Sequence, residues 1–186
     1  MTFAFVNLIC WGVFGIVWIF GAIYNYYKAP TVRQKRSDWF IIIVAWLIMH
    51  FIPSHYFTFM RFHVFWLQSI GAVVLILSTL FTLWARWVLG KMWASSAVIK
   101  TDHQLVTDGP YQITRNPIYT GLLGMILGSA ISFGQGAIFL SFIVLLCLFL
   151  NRIRLEEQLM TQTFGEQYLL YKNRVPQLVP GLKSKS

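Results

Sequence analysis

Charge is scarce in this chain of 186 residues. Only 11% of positions are charged, and only six are acidic. A soluble domain carries roughly a quarter charged residues, so a water-exposed globular fold is excluded, as is a disordered chain. Cysteine is also rare. Cys10 and Cys147 both fall inside apolar runs, which excludes a disulfide framework or a cysteine-rich zinc site and predicts two small core residues. No glycine loop of the Walker type and no GxGxxG after a strand is present, so the soluble nucleotide-binding folds are absent. No internal repeat or low-complexity segment occurs, and the first residues lack the basic start and small-residue cleavage site of a removable leader.

What the chain has is hydrophobic residues, 57% of its length, with eight Trp and eight Tyr suited to two membrane interfaces. Charge-free runs from Phe3 to Tyr24, Trp39 to about Phe59 and Val64 to Ala85 each reach the ~20 residues that cross a bilayer as a helix. Pro53 kinks or ends the second. Two shorter apolar runs follow, Ile118 to Phe133 and Ala137 to Leu150, separated by Gly134-Gln-Gly136. That pattern predicts a tight turn joining an antiparallel hairpin of two spans. The second helix continues through RIRLEEQLMTQTF to a natural C-cap at Gly165, followed by an amphipathic EQYLLYKN piece and a proline-bounded tail. The expected fold is therefore all-α: a polytopic integral membrane protein with five transmembrane helices, a C-terminal helical hairpin and a cytoplasmic cofactor-binding region. Residues 1–89 carry the first three helices, and residues 90–186 the loop, the hairpin and the C-terminal helices.

The net charge of +9 does not point to nucleic acid, because the charges sit in short loops beside the spans, next to anionic lipid headgroups. With the N-terminus outside, segments 25–38, 86–117 and 151–186 face the cytoplasm. They hold every Lys and Arg except Arg61, and all six acids. This positive-inside pattern sets the topology, with the C-terminus cytoplasmic, and confines polar chemistry to that face. His50, His55 and His63 lie near the outer interface at no helix-face metal spacing and read as interfacial packing.

One polar segment stands out, Gly109-Pro-Tyr-Gln-Ile-Thr-Arg-Asn-Pro-Ile-Tyr-Thr-Gly121. Gly109-Pro110 makes a turn. Asn116 can cap the next helix, and Pro117 suits its first position. Gly121, Gly124 and Gly128 allow close backbone approach. A loop, cap and packing account explains the segment as well as a functional one does. The hairpin, however, returns Arg152, Arg154, Glu156 and Glu157 to its open end, beside Tyr111, Arg115, Asn116 and Tyr119. Arg152 and Glu156 are i,i+4 neighbours that can pair on the helix surface; charges turned into a bundle indicate function.

From about Gly90 onward the chain resembles the isoprenylcysteine carboxyl methyltransferase family of membrane enzymes, in a short, prokaryotic-type form. The matching pieces are Asp102-His-Gln-Leu-Val-Thr-Asp-Gly-Pro-Tyr111 and Arg115-Asn-Pro-Ile-Tyr-Thr-Gly121. Arg152, Glu156-Glu157, Phe164-Gly-Glu-Gln-Tyr168, Tyr171 and Arg174-Val-Pro176 follow. The resemblance implies S-adenosyl-L-methionine as methyl donor and a lipidic or prenylated acceptor, small molecule or protein, drawn from the membrane. By position it implies donor contacts from Lys100, His103, Gln104, Leu105, Val106, Tyr111, Asn116, Pro117, Ile118, Tyr119 and Glu156. Arg152 falls at the substrate-contacting position, so Arg152 and Glu156 are the expected catalytic pair. Where the family usually reads Arg-His-Pro, this chain reads Arg115-Asn116-Pro117, which keeps hydrogen bonding and loses a titrating imidazole. Two other functions compete: methylation of a phospholipid amine headgroup, with Glu156 or Glu157 as proton acceptor, and a non-enzymatic helical bundle or small transporter. The last is disfavoured by the near absence of mid-membrane polar residues. Oligomeric state is not legible.

Overall fold

The computed structural model describes residues 2–28, 61–93 and 104–181. The expected second span at 39–59, His50, His55, and the site candidates Lys100 and His103 lie outside the described residues. Five α-helices are present among those described: α1 Thr2–Lys28, α2 Phe65–Leu89, α3 Pro117–Phe133, α4 Ala137–Phe164 and α5 Glu166–Arg174. Among the described residues there is no strand, only an isolated bridge between Arg61 and Gln135. α1, α2 and most of α4 are long and apolar enough to cross a membrane, and α3 is a shorter apolar helix.

α3 is the centre of the bundle and lies antiparallel along α2 for most of its length. The cause is a ladder of small residues. Gly121 faces Thr82, Gly124 faces Ser78, Gly128 faces Leu75, and Gly71 of α2 faces Ser132. A Cβ added at Gly128 would stand 2.5 Å from the Leu75 amide nitrogen and 2.9 Å from the Gly71 carbonyl oxygen. Backbone therefore meets backbone there, and packing supplies the association that hydrophobic transfer cannot supply in lipid. α1 joins the same helix through side chains: Asn7 Nδ2 donates to Ser132 Oγ at 2.6 Å, and Trp11 Nε1 donates to Ser129 Oγ at 3.0 Å.

The third expected span is found, but α2 runs past Ala85 and takes Arg86 into its last turn. The helix tolerates that charge because Arg86 Nη1 donates to the Gly90 carbonyl at 3.0 Å and the guanidinium lies over the Trp93 ring, 4.6 Å from its centroid. A cation is favourable at a helix C-terminus. The hairpin turn also forms as expected. Gly134 takes the left-handed conformation, φ 64°, and its carbonyl accepts the Phe62 N–H at 3.0 Å. At the far end of α4, Gly165 at φ 51° closes the helix and α5 follows at once.

α4 buries Leu145, Phe149, Arg152, Ile153 and Glu157, a stripe at helical spacing. Cys10 is in the core as expected, but Cys147 is exposed. Two positions beyond Leu145 is about 200° around a helix, so Cys147 falls on the outward face of α4 and is not a core residue.

Gly128→Leu should cost roughly 1–3 kcal/mol or more, because the obstruction is backbone that cannot rotate away. A Cβ at Gly12 meets nothing within 4 Å, and Gly12→Leu should leave stability unchanged. Thermal unfolding of both variants in detergent checks the contrast.

Candidate functional site

The α3–α4 hairpin opens opposite its Gly134 turn, and the polar residues gather there. Gly109, φ 58°, starts a short 3₁₀ turn, Gly109–Gln112, that folds Tyr111 inward until it is 7% exposed. The Tyr111 carbonyl accepts the Tyr171 hydroxyl at 2.7 Å, which ties this turn to α5. Burial, chiefly, pushes the Tyr111 phenol above its ordinary range. The Tyr171 phenol and the Glu156 carboxylate add to the rise, and Arg86 opposes it. Burial likewise raises the phenols of Tyr168 and Tyr171. All three stay neutral and uncharged at physiological pH.

Asn116 occupies the N-cap position of α3 and its carbonyl accepts the Thr120 N–H at 3.0 Å. The expected side-chain cap does not form. Asn116 Nδ2 points instead to Glu157 Oε1 at 3.3 Å and to the Gln177 carbonyl at 3.1 Å. Those two bonds orient the amide through its N–H donors, whereas a cap needs its Oδ1 to accept from the first turn of α3, where Pro117 has no N–H to offer.

One turn further on, Tyr119 stands between two residues of α4. Arg152 Nε donates to the Tyr119 hydroxyl at 2.7 Å and to Glu156 Oε1 at 3.0 Å, and the hydroxyl itself donates to the same Oε1 at 2.8 Å. The Tyr119 ring packs on Phe149 with centroids 5.1 Å apart, and Arg152 is 5% exposed. The i,i+4 pairing expected on the helix surface therefore exists but is turned into the bundle. Both contacts fall on a single Glu156 oxygen. Among the described residues Oε2 takes no hydrogen bond, and the side chain is 25% exposed, so one edge of this carboxylate stays open for a ligand.

Glu157, the next residue, is enclosed by different partners. Arg115 Nε donates to Oε1 at 3.0 Å, Arg115 Nη2 adds an ion contact at 3.0 Å, and Lys172 Nζ stands 3.8 Å from Oε2. The structure thus brings Tyr119, Arg152 and Glu156 into mutual contact, and sets Asn116 against Glu157. Pro117 is buried, Ile118 packs against the core, Leu105 and Val106 are half-buried outside any helix or strand, and Gln104 is exposed. Sequence reasoning left Arg115 and the tail 175–178 out of the site. The signal available was the pair of adjacent acids, which needs two cations, and Arg115 is the second cation at that end of the hairpin.

Against known proteins, residues 66–167 match the family described as Phospholipid methyltransferase. Protein-S-isoprenylcysteine O-methyltransferase B of Arabidopsis thaliana is 33% identical over 118 residues, covering 62% of this chain and 60% of that protein. Protein-S-isoprenylcysteine O-methyltransferase of Schizosaccharomyces pombe is 39% identical over 80 residues, covering 42% of this chain and 34% of that protein. The chain thus spans at most about 60% of the length of these relatives. The solved structure of the eukaryotic intramembrane Ras methyltransferase, isoprenylcysteine carboxyl methyltransferase, shares the fold with a TM-score of 0.66 at 24% identity, over 97% of this chain and 70% of that one. The matched stretch takes in α2, the polar turn, the hairpin and the Arg152–Glu157 segment, more than half of the sequence, and on that ground the chain belongs to the phospholipid methyltransferase family of integral membrane proteins.

Proposed function

We propose that this protein transfers a methyl group from S-adenosyl-L-methionine to the carboxylate of a prenylated cysteine or a similar lipidic acceptor. It does so at the cytoplasmic face, with five spans and the N-terminus outside. The observation that carries the reading is the Arg152–Tyr119–Glu156 cluster at the mouth of the hairpin. The names of the two relatives favour the acceptor class.

The residues present fit such a donor. The open Oε2 edge of Glu156 suits an ammonium or a ribose hydroxyl. The half-buried Leu105 and Val106 suit an apolar wall, and the neutral Tyr111 and Tyr119 rings suit adenine or a sulfonium. Gln104, Pro117 and Ile118 line the same segment, and Lys100 and His103 precede it in sequence. Asn116 reaches a donor through its side-chain Oδ1, since its Nδ2 is committed to Glu157 and Gln177. When bound, S-adenosyl-L-methionine supplies an electrophilic methyl group on sulfur.

An acceptor carboxylate, with a pKa of about 3.5, is ionised before it arrives, so no residue has to remove a proton from it. The task is placement, which lowers barriers by up to roughly 7–11 kcal/mol in model reactions. Arg152 holds the acceptor carboxylate through the charge and N–H donors of its guanidinium, whose Nε is also shared by Tyr119 and Glu156. Tyr119 keeps that guanidinium from swinging, because its hydroxyl is bonded on both sides. The packed Phe149 and Ile153 exclude water behind the cluster.

The family description favours a second acceptor, the amine of a phospholipid headgroup. A neutral amine must lose a proton during transfer, and Glu156, whose Oε2 takes no bond among the described residues, suits that role better than Glu157, which is held by two cations. Labelled donor offered with a prenylated cysteine analogue or with phosphatidylethanolamine separates the readings. The carboxyl ester releases labelled methanol in base, and the methylamine does not. Label in neither product would reject the proposal.

Glu156→Gln should weaken S-adenosyl-L-methionine binding by about tenfold or more, the scale of one charged hydrogen bond, as measured by calorimetry. Arg152→Lys should lower kcat by a larger factor than it lowers donor affinity, since an ammonium cannot fork onto a carboxylate or replace the Nε contacts. Steady-state kinetics beside calorimetry gives both numbers.

A further inference from the structure

The two adjacent acids of α4 serve different partners. Glu156 meets Tyr119 and Arg152 and keeps an open edge. Glu157 is 7% exposed and is enclosed by Arg115, Asn116 and Lys172. Arg115, itself 6% exposed, reaches further: Nη1 donates to the carbonyls of Lys172 and Val175, and its backbone N–H donates to the Pro176 carbonyl at 2.9 Å.

The tail that Arg115 holds is bonded at every carbonyl from Val175 to Leu178. Val175 O accepts from Arg115. Pro176 O accepts from the Arg115 backbone. Gln177 O accepts from Thr114 Oγ1 at 2.8 Å and from Asn116, and Leu178 O accepts from Thr120 Oγ1 at 2.8 Å. Four successive carbonyls therefore face donors that all come from residues 114–120. The ion pair of Arg115 with Glu157 is a junction at which that segment, α4, α5 and the tail meet.

Neighbouring residues on a helix stand about 100° apart. Fixing the Glu157 side chain therefore fixes the rotation of α4 at this level, and with it the direction of Glu156. We propose that Arg115 and Glu157 form a positioning pair: they lock α4 and the tail against residues 114–120 so that Glu156 and Tyr119 face one another. Glu157 neither contacts the donor nor accepts a proton. The inference rests on reading Glu156 and Tyr119 as donor-facing residues.

Three measurements on the full chain in detergent test it. Without donor, trypsin should cut after Arg174 at least about five times faster in Glu157→Gln than in wild type, because the tail is released when its junction loses charge. Donor affinity should fall by about tenfold, while kcat at saturating donor stays within about twofold and the pH profile keeps its shape. Glu157→Asp, which retains the charge on a shorter arm, should recover part of the affinity.

Unchanged tail cleavage in Glu157→Gln would overturn the pair. So would a lowered melting temperature with wild-type donor KM, which is a merely structural role, or a collapse of kcat with normal affinity and a lost acid limb, which is proton transfer. Should Glu157→Gln not fold, the Thr114→Val, Thr120→Val double variant removes two tail bonds without touching charge. It should show the same two effects, smaller, and wild-type behaviour there would count against the lock. A wild-type protein that binds no donor would reject the function proposed above, while the trypsin comparison still decides the pair.

Discussion

Two carboxylates side by side on one helix, at the end of a lipid-embedded bundle, persist there only if each finds its own cation. Taking a carboxylate out of water is costly, and a nearby cation offsets that cost. The chain meets the constraint by giving Glu156 to Arg152 and Glu157 to Arg115. One pair stays open on one edge and the other is closed on all sides. Much of the local architecture is a consequence. Arg115 is fixed by the closed pair, residues 114–120 are fixed by Arg115, and the start of α3 is fixed by those residues, including the Tyr119 hydroxyl that completes the open pair.

Breaking either pair is not equivalent. Loss of one partner of a buried pair leaves an uncompensated charge, which typically costs about 3–5 kcal/mol. The half-open pair can recruit water or a ligand in its place. An open and a closed ion pair thus sit on adjacent residues of a single helix turn. Asn116 adds to the support by spending its amide on Glu157 and Gln177.

The elements whose cause is periodic or steric were legible in the sequence. The hairpin followed from two apolar runs about a Gly-Gln-Gly turn, the end of α4 from Gly165, and the close α2–α3 approach from Gly121, Gly124 and Gly128. The meeting of Tyr119 with Arg152 and Glu156 followed from topology together with the family resemblance. Features decided by competition among partners were not legible. The Asn116 side chain makes no cap and donates its Nδ2 to Glu157 and Gln177. Arg86 lies one position past an apolar run, yet its helix continues because Gly90 and Trp93 receive the charge. The tail read only as proline-bounded, because carbonyl bonding leaves no mark on residue type. Cys147 was misplaced because an apolar run does not disclose which of its faces looks outward.

Helix length also carries a consequence. α3 has 17 residues, about 26 Å, and α4 has 28, about 42 Å. Thr82 of α2 sits opposite Gly121 while α2 runs on to Leu89, and Tyr119 sits opposite Arg152 and Glu156 while α4 runs on to Phe164. The central helix stops short of its neighbours and leaves a socket, filled by the irregular backbone of the turn and tail. Buried backbone needs hydrogen-bond partners whether or not it is helical, and the carbonyls of Val175 to Leu178 find them in side chains and an amide. How far the cluster is sunk below the rim is therefore a matter of residue count: the chain measures that depth with a ruler, independently of the groups that line it.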